Sequence, residues 1–506
     1  MRARKAVYNS ITRLLYEAVV VVSGLILPRL ILSRFGSGYF GISSSIMQFI
    51  GYISLLTVGV GGVTRAALYK PLAENDIVKI SGIVRATEIF MRKVALAFTG
   101  ILVAIAVFYP LMVSSEFDWF FIFTLALILG IGRFAQYFFG ITYQMLLTAD
   151  QRGYIPTMAQ ICAVILNLAV AVTLILIGSE IRIVMLASGA VFVLNRIFIQ
   201  IYVKKRYELI KHVEPDNSAI KQRWDAFAHQ VANFVQSNTD ILLLTAFTGI
   251  MEVSVYSVYY LVIQNIKTVI IGLMGPGIPA AFGNMLAKNE DQTIQKNLRL
   301  YEFLSNSLAA LFFSCTAMLI VPFVTVYTKG IVDVDYYRPV FAYIACASQF
   351  FFVVRTPYQA LVLAAGHYRQ TRNGAIMEAV INLIISVLLV NRYGLVGVAV
   401  GSLCAMMFRT VQYAVYMSKH VVKRSSWISV RRLLLTVLNV GVIVAVVQIL
   451  PTMAENTYTA WILYALPVFG VSAGVTVLIA LIFYREEFLL FFDKMRSLTH
   501  IRKQRS

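Results

Sequence analysis

Residues 143–174, YQMLLTADQRGYIPTMAQICAVILNLAVAVTL, and residues 358–389, YQALVLAAGHYRQTRNGAIMEAVINLIISVLL, are two versions of one segment. A shift of 215 pairs Tyr143 with Tyr358, Gln144 with Gln359, Ile161 with Ile376 and Asn167 with Asn382. Apolar bias accounts for matched leucines, but not for the paired Tyr-Gln or the lone Asn. A shift of 213 adds Gly59 with Gly272, Gly62 with Gly275 and Arg196 with Arg409. The order is kept, so the chain reads as a duplication.

The material being duplicated is membrane helix. Of 506 residues, 59% are apolar and 13% charged, about half the roughly 25% charged share of soluble proteins. One span needs about 20 apolar residues, and such runs recur from end to end. Fourteen helices are predicted, near 11–33, 41–65, 94–113, 119–147, 155–178, 183–203, 229–247, 253–276, 303–327, 338–364, 374–391, 395–417, 433–450 and 461–484. The predicted fold class is an all-α polytopic membrane protein with two pseudo-symmetric six-helix lobes, 1–210 and 211–425. Helices thirteen and fourteen with a basic tail make up 426–506. Six is even, so both copies point the same way, related by an axis along the membrane normal.

The net charge of +20 is a topology signal rather than a nucleic-acid footprint. With the N-terminus inside, 31 of the 44 Lys and Arg fall in cytoplasmic segments and five in external loops. That asymmetry predicts both termini cytoplasmic, in the cell membrane. The external loops are too short for a folded catalytic domain. The stretch DIVKISGIVRATEIF (76–90) is amphipathic and is expected to lie along the membrane surface. Cys162, Cys315, Cys346 and Cys404 all fall in apolar runs and read as buried structural thiols, with no metal-ligand spacing.

Eight bases remain inside the spans: Arg13, Arg29, Arg65, Arg133, Arg196, Lys267, Arg355 and Arg409. Only Glu17, Asp240 and Glu378 oppose them there. Each mid-helix charge costs about 2.5–3.5 kcal/mol on insertion scales, so such residues face protein or a wet cavity. Polar side chains accompany them at helical spacing: Arg133, Gln136, Tyr137, Gly140 and Gln144 in helix four, and Tyr260, Gln264 and Lys267 in helix eight. Arg355 and Gln359 do the same in helix ten, Arg409 and Gln412 in helix twelve, and Asn233, Gln236 and Asp240 in helix seven. Glu378, Asn382 and Ser386 line helix eleven. Three acids cannot neutralise eight bases, so an anionic ligand is expected, and Arg suits phosphate through its planar fork. The expected binding cavity is lined by Arg133, Gln136, Gln144, Arg196, Gln264, Lys267, Arg355, Gln359, Arg409 and Gln412. Catalytic residues and cofactors are not expected: no GxxxxGK[ST] phosphate loop and no nucleophile-base pair is evident.

Further signatures are RFGSGYFGIS (34–43), NTDILLLTAFTG (238–249), VYSVYYLV (255–262) and YGLVGVAVGS (393–402). In this order and spacing the chain resembles the polysaccharide-export flippases of the multidrug/oligosaccharidyl-lipid/polysaccharide exporter superfamily. The resemblance implies movement of an undecaprenyl-diphosphate-linked oligosaccharide from the inner to the outer leaflet by alternating access. Membrane lipids and polysaccharide-assembly proteins are the implied partners. Related lipid II flippases bind a cation between helices seven, eleven and twelve. Asp240, Glu378 and Asn382 match those helices and are the candidates for coupling to H+ or Na+; the alternatives are proton carriage by Asp240 and Glu378 or pairing with Arg409. A cation-coupled multidrug antiporter of the same superfamily is the rival reading, and a membrane glycan polymerase or ligase a more distant one.

Overall fold

The computed structural model describes residues 2–57, 60–113, 117–210, 213–216, 239–275, 278–451, 453, 455–491 and 493. All regular structure among them is helical: α1 (Arg2–Phe35), α2 (Ser37–Ile53), α3 (Val60–Glu74), α4 (Ile77–Met112), α5 (Trp119–Ala135), α6 (Ile141–Ala149), α7 (Tyr154–Leu176) and α8 (Ile181–Arg206). A helix described over 239–247 is α9. There follow α10 (Ile250–Met274), α11 (Ile278–Ala287), α12 (Asp291–Tyr327), α13 (Pro339–Ala364), α14 (Tyr368–Tyr393), α15 (Leu395–His420), α16 (Ser426–Val447) and α17 (Tyr458–Phe483). Twelve of the described helices are long and apolar enough to cross a membrane. The two other expected spans are 41–65, which is broken between α2 and α3, and 229–247, described only from 239.

The helix boundaries repeat with the sequence. Adding 213 to the start of α2 gives that of α10, and adding 215 to the ends of α4 and α6 gives those of α12 and α13. The buried faces repeat too. On α14 they are Thr371, Ala375, Glu378, Asn382, Ser386 and Val390; on α7, shifted by 215, Pro156, Ala163, Asn167, Ala171 and Ile175 are buried. This is the inside-out pattern of a helix in lipid: polar groups turn inward, and Leu176 and Leu388 lie 76% and 72% exposed.

Two helices are longer than hydropathy predicts. Residues 76–90 are not a separate surface helix; they open α4, a continuous helix of 36 residues. At 1.5 Å per residue it is about 54 Å long, well beyond a hydrocarbon core of about 30 Å. Asp76 caps it, its carboxylate accepting from the Lys79 N–H at 3.0 Å. The helix dipole end and Lys79 together hold the Asp76 carboxyl below the usual range, the backbone hydrogen bond being the main cause. Its counterpart α12 has 37 residues and takes in what reads as a cytoplasmic loop over 291–302.

The chain divides into two compact units, Met1–Ser257 with Gly330–Val334, and Val258–Lys329 with Asp335–Ser506. In the first, α2 begins against Asp333, whose carboxylate accepts from the Ser37 N–H and hydroxyl, both at 2.6 Å. Gly41 lies where a Cβ would meet the Ile250 carbonyl, so only glycine lets those backbones approach. In the second, α14 turns into α15 through the single residue Gly394, at φ 53°. Gly401 brings α15 onto α14, where a Cβ would strike the Ser386 hydroxyl.

The extra pair α16–α17 is fastened within the second unit by charge as well as by apolar contact. Ile443, Val447 and Val468 pack with Cys315 of α12. Thirteen residues earlier on α12, Glu302, fully buried, accepts from Arg424 and from Arg432 at 2.6 Å, and Arg432 also reaches Glu487 at 2.6 Å. Of the four cysteines, Cys315 and Cys346 are buried as expected; Cys162 is exposed and Cys404 half-buried. Gly401→Leu should wedge α14 from α15 and cost about 1–3 kcal/mol, as overpacking does. A lowered melting temperature in detergent, beside an unchanged Gly441→Leu control where no atom lies within 4 Å, is the expected result.

Candidate functional site

The first unit holds a cavity of 760 Å³ between α1, α2, α5–α6, α7 and α8. Its lining includes Arg133, Gln136, Gln144 and Arg196, four of the ten residues expected to line a binding cavity, together with Gln160, Asn167, Ser43 and Ser188. No acidic residue lines it. Arg133 donates to the Gln136 side-chain Oε1, and Arg196 to that of Gln144, both at 3.4 Å. These are long contacts for an N–H···O bond, whose usual range is about 2.7–3.2 Å. Among the described residues neither guanidinium has a carboxylate partner, and the Arg196 Nε is buried without an acceptor.

Local structure explains which stripe members reach the cavity. Between α5 and α6 the helix takes a π turn over Gln136–Gly140. Gln136, in that turn, lines the cavity with Arg133 and Gln144, whereas Tyr137 is buried edge-on to Phe98 of α4. Gly140 is needed for space: a Cβ there would lie 2.6 Å from the Arg196 Cδ. π turns of this kind often mark functional sites.

The equivalent helix of the second unit differs. Pro357 lies inside α13, which runs on through it, and the Val353 carbonyl it leaves without its helical donor accepts instead from the Ser305 hydroxyl at 2.8 Å. Its cations are also satisfied differently. Glu378, 1% exposed, accepts from Arg355 and forms an ion pair with the Arg409 Nε at 3.2 Å. Arg409 further donates to the Thr371 carbonyl at 3.2 Å, Gln412 at 2.7 Å and the Tyr413 hydroxyl at 2.8 Å. Gly374 leaves room for that guanidinium, which a Cβ would touch. Lys267 donates to Gln349 at 3.2 Å and sits 4.6 Å above the Phe352 ring, with the Arg355 guanidinium 4.5 Å from the same ring.

The remaining predicted positions distribute as follows. Gln264 and Gln359 are half-buried on α10 and α13. Asn382 donates to Ser402 at 3.0 Å and accepts from Ser386 at 3.2 Å, a closed network between α14 and α15. Asp240, on α9 in the first unit, accepts from the Tyr256 hydroxyl at 3.1 Å. Asn233 and Gln236 lie outside the described residues. Of the other intramembrane bases, Arg13 approaches Glu17 at 3.9 Å while largely exposed, and Arg65 bonds the Gly61 carbonyl at 3.0 Å. Sequence reasoning missed Gln349 and Phe352, although they stand at i−6 and i−3 from Arg355 on its own helix. It also missed Glu302, which hydropathy places just outside a span.

The two units predict opposite responses to losing a charge. Glu378→Ala strands two buried guanidiniums and should cost about 3–5 kcal/mol, the penalty for breaking a buried pair. Arg196→Met removes a charge with no counterion and should leave the ligand-free protein as stable or more so. Thermal unfolding of the purified variants in detergent checks both signs.

No family model matches the chain, and no curated protein matches its sequence. Its fold is nevertheless found among solved structures. The lipid II flippase MurJ in an inward closed conformation superposes with TM-score 0.70 at 14% identity, over 95% of this chain and 99% of that one. An inward-facing multidrug resistance MATE family transporter of the MOP superfamily gives 0.60 at 13%, over 81% and 98%. A point mutant of the Vibrio cholerae MATE transporter VcmN gives 0.56 at 13%, over 84% and 98%. This chain therefore has the fold that the MurJ flippase and the MATE transporters of the MOP superfamily share.

Proposed function

We propose that this protein is a flippase that carries an undecaprenyl-diphosphate-linked oligosaccharide from the inner to the outer leaflet of the cytoplasmic membrane by alternating access, with both termini cytoplasmic. The observation that supports this reading best is the pair Arg133 and Arg196, lining a 760 Å³ cavity without an acid in its wall. The diphosphate docks on those guanidiniums, because bidentate Arg–phosphate hydrogen bonds replace the water lost on entry. The amides of Gln136, Gln144 and Gln160 and the hydroxyls of Ser43 and Ser188 offer donors and acceptors to sugar. Lys267, Arg355 and Arg409 form a second cationic group, tempered by Glu378. With that carboxylate engaged by two arginines, Asp240 is the better candidate to couple transport to H+ or Na+. A flippase breaks no covalent bond, so it needs no nucleophile and no acid-base pair. Polysaccharide-assembly proteins are the expected partners on the glycan's route outward.

A multidrug antiporter is the alternative, favoured by the likeness to MATE transporters and by Phe40, Met47, Met185 and Phe192 in the cavity wall. Cationic drugs call for acids there, and the wall has none. The test is surface-glycan export by cells whose only exporter is this protein. Arg133→Ala should lower export by about tenfold or more, the equivalent of about 1.4 kcal/mol of lost headgroup binding, with membrane insertion unchanged. Normal export by both Arg133→Ala and Arg196→Ala, alongside drug efflux, would establish the antiporter instead.

A further inference from the structure

α4 and α12 are one helix in two copies, ending 215 residues apart, yet their outer faces meet different surroundings. On α12, Leu304 packs with Phe303 and Ala480, and Leu311 and Met318 pack with Cys315, Ile443, Val447 and Val468. Phe323 meets Trp461 edge-on at 5.3 Å. The pair α16–α17 thus covers this face. At the shift of 215 the same positions on α4 are Ile89, Leu96, Gly100, Val103 and Phe108. All five are exposed, Leu96 by 67% and Phe108 by 61%, and nothing lies within 4 Å of a Cβ built on Gly100.

Two differences of sequence accompany the difference in cover. Where α12 has Phe312, Cys315 and Leu319, α4 has Ala97, Gly100 and Ala104, so bulk is lost along the open face. Where α12 has Leu300, Ser307 and Leu308, α4 has Arg85, Arg92 and Lys93, the last two just before the apolar run 94–113. Arg92 lies 5.4 Å over the Phe138 ring of the π turn, and Lys204, at the end of α8, lies 5.8 Å over the ring of Tyr143. The Tyr143 hydroxyl donates to Glu88, one turn from Arg92. Arg85, Arg92, Lys93 and Lys204 are all exposed, and among the described residues none of them is in an ion pair. On α12 the helix supplies an acid, Glu302, and the covering segment brings the bases Arg424 and Arg432. On α4 the polarity is reversed, so its cover must bring the anion.

We propose that an anionic phospholipid, in the leaflet level with Arg92 and Lys93, occupies on α4 the place that α16–α17 occupy on α12. Its phosphate lies on Arg92 and Lys93, within the field of Arg85 and Lys204, and one acyl chain runs along Ala97, Gly100 and Ala104. Basic clusters at a membrane surface attract acidic headgroups, and a row of small residues opens a helix surface to close packing. A second copy docking α4 on α4 would instead bring like charges together. The inference does not depend on what the protein transports.

The experiment places the full chain in phosphatidylcholine nanodiscs with either of two photoactivatable probes, phosphatidylglycerol or phosphatidylcholine with the same acyl chains. Adducts are mapped by peptide mass spectrometry. Residues 96–108 should take the phosphatidylglycerol probe about tenfold or more over the other. The exposed face of α7 at Ile165 and Leu166 should show a preference of about twofold at most. Arg92→Gln with Lys93→Gln should bring α4 down to the α7 ratio, while Arg92→Lys with Lys93→Arg should keep the parental one. Gly100→Leu adds bulk in open space, leaves the charges alone, and should lower phosphatidylglycerol labelling. Added salt should weaken the preference, because exposed charges are screened. Equal labelling by both probes at α4, or a like preference at α7, means bulk lipid only and overturns the proposal. Protection of 96–108 from both probes overturns it too, by showing a second copy or another helix on that face. Labelling of the parent protein decides the matter even where a variant fails to fold.

Discussion

A guanidinium cannot be left in hydrocarbon without an anion or water, and this constraint organises the molecule. At about 2.5–3.5 kcal/mol per mid-helix charge, a handful of unanswered arginines would offset a large part of a typical folding free energy of about 5–15 kcal/mol. The second unit answers its arginines with carboxylates. Glu302 serves Arg424 and Arg432 at the base of α16–α17, and Glu378 serves Arg355 and Arg409 between α13, α14 and α15. The first unit leaves Arg133 and Arg196 to a cavity and to two 3.4 Å contacts with glutamines.

The asymmetry is the more informative because so much else is shared. The same helix ends recur at matching offsets, while the two copies of helix four differ within, one holding a π turn at Gln136–Gly140 and the other carrying Pro357 in a continuous helix. A proline within a helix frees a carbonyl, which Ser305 satisfies here. A π turn moves side chains around the helix axis. The first device suits a scaffold, and the second suits a wall whose side chains must be aimed.

Much of this was legible in the sequence. Apolar runs gave the spans because lipid demands them, and the Tyr-Gln and Asn matches gave the duplication because apolar bias does not produce them. The stripe of Arg133, Gln136 and Gln144 was correctly read as one wall. Tyr137 was not, because no residue type announces a π turn, and a regular 3.6-residue repeat keeps it on the cavity side. The length of α4 and α12 escaped notice because hydropathy stops where the bilayer does, whereas a helix continues as long as its backbone is bonded. Glu302 escaped for the same reason: a window that ends at residue 303 counts it as solvated, yet it is fully buried. The sharing of Glu378 by two arginines depends on which rotamers meet across three helices, and spacing along any one of them does not carry that.

The contrast also bears on where a carrier can afford to bind. A ligand shifts a conformational equilibrium only by the difference in its affinity for the two states, so the group that holds it must be able to change its contacts. Arg409 has four partners, and Gly374 is shaped around it; moving it would break a buried ion pair. Arg196 has one long contact and open space beside it. Its reorientation costs little in the ligand-free protein, and an anion bound there would supply most of what holds it. A transport site is better built from such loosely held charge than from a satisfied network, which is the physical reason for proposing the first unit's cavity, and not the second unit's ion-pair network, as the place where substrate would bind.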